Sequence, residues 1–335
     1  MNRKASLLLI VLAVFATASC SEGESPKSAI SGRSGELIVV ATKAQWESES
    51  GSAIREALGS DYGYLPQEEP KFDLMLVPKE GVNRLIRTHR NMLCLNIADT
   101  AEARISIRRD VWAAPQTMVM VSAPSAEKAT SLILDNKESI AKVFDDAERN
   151  RNMTAARAFE VKDLTAKISS IYGGSPCIPD GYALKKQVPG FIWVSSETTF
   201  TMLGIFIYSF PYEGEGQFSA AELVEKRNEV LQHNVPATGE GSYMITNPAI
   251  VPEFSKVTYN GIERYQLRGL WDTCNDFMGG PFISHAFLDK SGENVIVVEG
   301  FVYAPKYDKR NYLRQVDAII STFRWVDPSE FVESN

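Results

Sequence analysis

The chain has 335 residues, of which 44% are hydrophobic and 23% charged, and its formal net charge is −7 at pH 7. This is ordinary globular composition, which excludes a disordered or fibrous protein, and the length suits two cores better than one. The acidic balance argues against a nucleic-acid partner. With 3 His in all and no Cys-x-x-Cys, a zinc site is not expected.

Arg3 and Lys4 precede an apolar run from Leu7 to Ala16, and the small residues Thr17, Ala18 and Ser19 lead into Cys20. The run is too short to span a bilayer as a mature helix, so residues 1–19 read as a signal peptide. The pattern resembles a bacterial lipoprotein box, which implies that Cys20 becomes the lipidated first residue. A signal peptide cleaved earlier, with Cys20 incidental, is the alternative. Each acyl methylene buried contributes roughly 0.8 kcal/mol, so a multiply acylated Cys20 would hold the protein on a membrane. The expected location is the outer membrane of a cell envelope, with the periplasmic and cell-surface leaflets both open. Ser21-Glu-Gly-Glu24 resembles the acidic tags of surface-displayed lipoproteins in the Bacteroidetes.

Residues 20–35 are rich in Ser, Gly, Glu and Lys and read as a tether. An N-terminal α/β domain is expected over 36–124. Glu36 opens a strand, Lys43–Leu58 is a helix weakened by Gly51 and serines, and Leu65-Pro-Gln-Glu-Glu-Pro70 lies in a turn-rich link. Phe72–Val77, a short helix Gly81–Ile86, and strands at Asn91–Ile97, Ala103–Arg108 and Gln116–Ser122 follow. Residues 125–172 carry almost no Gly or Pro and predict a helical connector with a break near Asp135. The C-terminal domain, 173–326, begins after Gly173-Gly-Ser-Pro176, and 327–335 is a tail.

Within this second domain Phe191–Ser195, Leu203–Phe210, Phe254–Tyr259 and Glu263–Trp271 read as strands, and Phe218–Val235 as a helix capped by Ser219. Asn260-Gly261 favours a tight hairpin, and Asp289–Glu293 a second one joining Pro281–Leu288 to Asn294–Ala304. The last strand is apolar on both faces, as a central strand would be. Asp308 is the expected cap of a final helix whose Tyr312, Leu313, Val316, Ile319, Ile320 and Phe323 form one stripe. The fold class predicted is α+β: two α/β sandwich-like halves with largely antiparallel sheets, joined by a long helical segment.

Three cysteines follow Cys20. Cys94, in Met92-Leu-Cys-Leu95, reads as a buried free thiol; Cys177 and Cys274 lie beside turns, and a bridge between them is one expectation.

Three polar groups are candidates for chemistry. Arg87, His89 and Arg90 suit a carboxylate or phosphate, or else pair with Glu68 and Glu69 to close a loop. Asn275, Asp276, Gly279 and Gly280 are flanked by Arg268, Trp271 and Glu299: Gly279-Gly280 permits close approach of a ligand over a floor of Trp271 and Phe277, or else the stretch is a wide turn whose aromatic residues fill the core, with Arg268 as the structural partner of a buried Glu299. Lys306, Lys309 and Arg310 stand at a helix start, which favours anions, or form a solvated helix entrance. No Gly-x-Ser-x-Gly, HExxH, P-loop or dinucleotide fingerprint sits in a fitting context, so no cofactor is expected.

Leu65–Pro70, Arg87-Thr-His-Arg-Asn91, Gly241-Ser-Tyr-Met244, Arg268-Gly-Leu-Trp271, Asn275–Phe282 and Glu299–Pro305 together resemble an uncharacterised lipoprotein family of the Bacteroidetes, a domain of unknown function. That resemblance implies location and lineage and brings no activity. The order of elements after Ile178 is similar to the PsbP/Mog1-like α/β/α sandwich. Asp99-Thr100-Ala101 resembles the O-glycosylation triplet of these bacteria. The reading that follows is a non-catalytic envelope module binding a small anionic ligand or an envelope partner. A hydrolase using His89 or Glu299 and a structural spacer are the alternatives.

Overall fold

A computed structural model describes residues 27–327 and 330; the signal peptide, Cys20 and most of the tail lie outside the described residues. The chain is α+β with two sheet-rich halves. In the first half, strands β1 (Glu36–Val40), β2 (Asp73–Val77), β3 (Asn91–Ile97), β4 (Arg104–Arg109) and β5 (Thr117–Ala123) form one sheet in the order β2-β1-β3-β5-β4. Over the two halves the pairing is largely antiparallel, as expected, but this first sheet departs from it: β2, β1, β3 and β5 run parallel and β4 alone is antiparallel. The reason is connectivity. The helices between β1 and β2 and the turn of helix between β2 and β3 are crossovers, which return the chain to the same end of the sheet.

Helices α1 (Lys43–Glu47) and α2 (Glu49–Leu58) meet at Ser48, which ends one and caps the other. Gly51 leaves no room for a Cβ against the Trp46 carbonyl, so glycine there permits the close approach. After α3 (Arg84–Arg87) come α4 (Ala126–Asp135), α5 (Lys137–Ala158) and α6 (Lys162–Tyr172), broken at Asn136 as the pattern predicts. Ile54, Leu58, Ile133, Ile140 and Phe144 of α2, α4 and α5 cover Leu37, Val39, Leu93, Val119 and Val121 on one face of the sheet. The helical segment is therefore shared between the halves, since Ile168 and Tyr172 of α6 pack instead in the C-terminal core.

That second core is an eight-stranded antiparallel sheet. Its strands are β6 (Ala183–Val188), β7 (Phe191–Glu197), β8 (Met202–Pro211), β9 (Met244–Thr246), β10 (Glu253–Tyr259), β11 (Ile262–Thr273), β12 (Gly279–Leu288) and β13 (Asn294–Tyr303). They run β9-β11-β12-β13-β8-β7-β6, with β10 also paired to β11. The alternation along β13 is read out in the packing: Val295, Val297 and Phe301 face α7 (Ala220–Asn234), while Ile296, Val298 and Val302 face α6 and α8 (Arg310–Ser321). Asn260 and Gly261 take positive φ in the hairpin between β10 and β11, and Asn260 and Arg264 donate to the last carbonyls of α8. A cationic and amide cap supplied from a hairpin thus satisfies the helix end.

Cys177 and Cys274 are free, contrary to the bridge considered above. Cys177 donates its backbone N–H to Thr322 beside the start of β11, whereas Cys274 lies just beyond the end of β11, against Tyr243. The length of β11, on the order of 35 Å, separates them.

His285 on β12 is fully buried, with Arg264 3.4 Å from Nδ1 and Gln266 3.2 Å from Nε2. Burial, then Arg264 and Arg149, hold its pKa well below 6.5, and Asp317, 3.9 Å away, does not offset them. The folded ring is neutral where the unfolded one takes up a proton, so stability declines as pH falls below about 6.5. His89, also depressed by burial, acts in the same direction. Denaturant midpoints are expected to drop between pH 7 and 5.5, and less steeply in His285→Gln. An unchanged slope in that variant contradicts the assignment.

Candidate functional site

The three candidate clusters disperse, and each does so for a visible reason. In the first, Arg90 turns to Glu148, a fully buried carboxylate on α5 that also accepts from Ser34, Asn91 and Arg151. His89 is 5% exposed, its Nδ1 held by the Asn91 backbone and its Nε2 3.7 Å from Glu36. The partners are Glu148 and Glu36, where Glu68 and Glu69 were the expected pair. Arg87 separates from the other two and lies over the Trp112 ring at 5.6 Å.

In the second cluster, Glu299 is buried and its carboxylate takes two hydrogen bonds from Arg227 of α7, at 2.7 and 2.9 Å. Arg227 also bonds Thr246 and stacks 3.9 Å from the Phe282 ring centre. Arg268 cannot be the partner because it projects from the opposite face of the sheet. There it donates to the Tyr62 and Gly63 carbonyls of the first half. Burial raises the Glu299 pKa, and Arg227 opposes that rise. Trp271 is buried and donates to the Val302 carbonyl; Gly280 lets that carbonyl and the indole close in, since a Cβ there would collide with Val302. Asn275 and Asp276 form the β11–β12 turn, with Asn275 at φ 59, and Gly279 packs against Asp272.

The third cluster has found its anion within the chain. Glu69 accepts from the backbone N–H of Lys309 at 2.6 Å and of Arg310 at 2.9 Å. Glu69, and not Asp308, therefore supplies the cap of α8, from a position remote in sequence. Arg310 pairs with Asp73 at 2.8 Å, Lys309 Nζ reaches Gln67, and Lys306 lies over the Phe200 ring. Leu65–Pro70 and the start of α8 thus form the seam between the halves. Thr100 sits exposed in the turn between β3 and β4.

A cavity of about 480 Å³ lies on the other face of the N-terminal sheet. Among the described residues, α3, a 3-10 turn at Lys79–Gly81 and the turn bearing Trp112 cover that face, where a full crossover helix would otherwise pack. Val40, Met92, Cys94 and Met120 floor the cavity; Thr42, Gln45 and Asn96 close the end where β1 and β3 finish. This is where the strand order reverses, with β2 to one side of β1 and β3 to the other, the usual ligand position in open parallel sheets. Lys79 and Arg87 are its charged residues, and among the described residues no carboxylate lines it. Burial pushes the Cys94 thiol up to about 11, with Arg108 pulling the other way, so it stays protonated at neutral pH.

Of the candidates from sequence, Arg87 alone lines this cavity. Lys79, Cys94, Asn96 and Trp112 were missed as site residues. The available signal was the crossover from Pro78 to Arg90, too short to hide a sheet whose β1 alternates Ile38 and Val40 toward that side. A second, apolar cavity of about 320 Å³ in the other half is lined by Trp193, Trp271, Phe301 and Tyr303 with Met202, Met244 and Met278. Among the described residues no group of three His, Cys, Asp or Glu is placed to hold a metal ion.

Residues 161–322 match a family model described as a domain of unknown function, DUF4837, and residues 30–157 match another, DUF8532. The two meet between α5 and α6. No curated protein matches the chain. Solved structures similar to it include LpqN, involved in cell envelope biogenesis of Mycobacterium tuberculosis, at 12% identity, covering 44% of this chain and 79% of that one, with a TM-score of 0.26. Human STARD10 is similar at 8% identity, 48% and 80% coverage and a TM-score of 0.25. The lipid transfer and protein localization domain of human StarD13 is similar at 8%, with 48% and 95% coverage and a TM-score of 0.23. Likenesses this slight carry no argument about fold or function.

The Arg227–Glu299 pair can be tested as a structural element. Glu299→Gln strands a buried guanidinium and is expected to lose roughly 3 kcal/mol in urea unfolding, while Arg227→Met with Glu299→Leu recovers most of it. A double variant as unstable as the single one contradicts this role.

Proposed function

We propose that this protein is a non-catalytic binding module of the cell envelope. In this reading Cys20, acylated as in Bacteroidetes lipoproteins, anchors it, and the N-terminal cavity takes a small ligand with an anionic head and an apolar body. The observation that carries the ligand class is the lining: Arg87 and Lys79 without a carboxylate, above a floor of Val40, Met92 and Met120. Two exposed cations at the rim attract an anionic head, and the apolar wall retains the rest of the molecule.

Binding is favoured over hydrolysis by what surrounds the candidate catalytic groups. His89 is packed beneath Gly32 and Glu299 is locked to Arg227, and neither lines the cavity. Cys94 is the sole thiol there, and its raised pKa makes it a poor nucleophile.

The first described residues also lie beside the turn that carries Trp112. Ser28 and Ala29 pair with Ala113 and Ala114, next to Trp112, and Lys27 donates to the Asp110 carbonyl. From Cys20 to Lys27 the chain reaches no more than about 25 Å, so an acylated Cys20 would hold the cavity near the lipid surface. The resemblance of the second half to the PsbP/Mog1-like order belongs to the same reading and leaves that half as the scaffold.

Anilinonaphthalene sulfonate, an anion with an aromatic body, is a suitable probe. The folded protein is expected to bind it saturably, with roughly tenfold weaker affinity in Arg87→Gln and in Trp112→Ala and with little change in melting temperature. Absence of saturable binding, or binding indifferent to both substitutions, would refute the proposal.

A further inference from the structure

We infer a second binding site, for a small neutral aromatic molecule, in the cavity of about 320 Å³ on the α7 face of the C-terminal sheet. The cavity exists because the sheet outruns its helix. α7 ends at Asn234, and the chain then turns back into β9, with the Val235 carbonyl accepting from Met244 and Pro236 bridged to Tyr243. The strand ends, Met202 of β8 paired with Tyr303 of β13, therefore lack helical cover and face the loop Val235–Thr238. That loop and the β11–β12 turn are tied together: Cys274 donates its backbone N–H to the Tyr243 carbonyl at 3.0 Å, and the Ser242 hydroxyl donates to the Cys274 carbonyl. The same turn brings Met278 into the lining. Phe277, expected in a pocket floor or in the core, is instead fully exposed at the tip of this turn.

The walls are aromatic and fixed in place. Phe301 lies over Gly204, where a Cβ would collide with its ring, and it stacks on Phe206 with ring centres 4.7 Å apart. Trp271 approaches Phe301 from β11, edge-on at 5.8 Å, and Trp193 approaches from β7 at 6.3 Å. The hydrogen bond from the Trp271 indole to the Val302 carbonyl locks that wall. Rings already held in position lose little freedom on binding, and they favour a guest ring in offset or edge-on contact. The thioethers of Met202, Met244 and Met278 adapt to its outline and add sulfur–ring contacts.

Electrostatics selects a neutral guest. Among the described residues no Asp, Glu, Lys, Arg or His lines the cavity. Arg227, whose Nη2 lies 3.9 Å from the Met244 sulfur, is neutralised by Glu299. A carboxylate entering here would lose its water without gaining a counter-charge, so the anion suited to the N-terminal cavity is unsuited to this one. The volume lies at the low end of the roughly 300–1,000 Å³ usual for small-molecule pockets, which fits one or two fused rings. The half that serves as scaffold for the first site thus carries a ligand of its own, and failure of either site leaves the other standing.

The test is a titration of the chain, methyl-labelled at methionine, with indole. The Met202, Met244 and Met278 resonances are expected to move saturably. Benzoate, a charged ring, should leave them in place, and heptanol, a neutral chain, should bind several-fold more weakly. Trp193→Ala is expected to weaken indole binding roughly tenfold. Met278→Ala, in the β11–β12 turn, should weaken it in the same direction and decides the matter if Trp193→Ala fails to fold. No saturable movement with indole, an equal response to benzoate, heptanol binding as tightly as indole, or wild-type affinity in the folded variant overturns the inference.

Discussion

A parallel sheet has two apolar faces to bury, and among the described residues long helices cover only one of them. The first face of the N-terminal sheet lies under α2, α4 and α5. The second depends on the crossover from Pro78 to Arg90, which holds a 3-10 turn and a single turn of helix. Ile38, Val40, Met92 and Met118 are still buried there, with help from Val82, Ile86 and Val111. Toward the ends of β1 and β3 the cover runs out. The cavity is thus a consequence of connection length, and its charge follows from which residues the short crossover carries, Lys79 and Arg87.

The second half supports this arrangement through a polar seam. Glu69 caps α8, Arg310 reaches Asp73 and the Pro70 carbonyl, and Asn311 donates to the Ser34 carbonyl. Arg149 and Arg314 of facing helices pair with Asp317 and Asp145. Charged groups buried at an interface need geometry-specific partners, so the seam defines one relative placement of the halves where a greasy contact would tolerate several. Within it, Arg268 Nε and Arg314 Nη1 find no hydrogen-bond partner among the described residues.

What could be read from sequence was the part encoded locally. The alternation along Asn294–Tyr303, the stripe on α8, the Asn260-Gly261 turn and the Ser219 cap are each set by residues within one element, and the structure has them all. The parallel order of the first sheet was not legible, because strand pairing there is decided by crossovers and not by the strands themselves. The partner of Glu299 was misread for a similar reason: alternation places Glu299 on the α7 face, but which Arg shares that face depends on the register of β11. Arg87, His89 and Arg90 looked like one site because they are adjacent in sequence. A turn of helix followed by a strand instead sends them to three environments. Glu69 and α8 lie too far apart in the chain for any local pattern to connect them.

The central claim is that the uncovered face of the N-terminal sheet receives an amphiphilic anion. Methionine methyls report on it directly, because Met92 and Met120 floor that cavity while Met202, Met244 and Met278 line the apolar one in the other half. With methyl-labelled methionine and decanoate as the titrant, the account predicts that the Met92 and Met120 resonances move saturably and the other three stay put. Movement confined to Met202, Met244 and Met278 would contradict it.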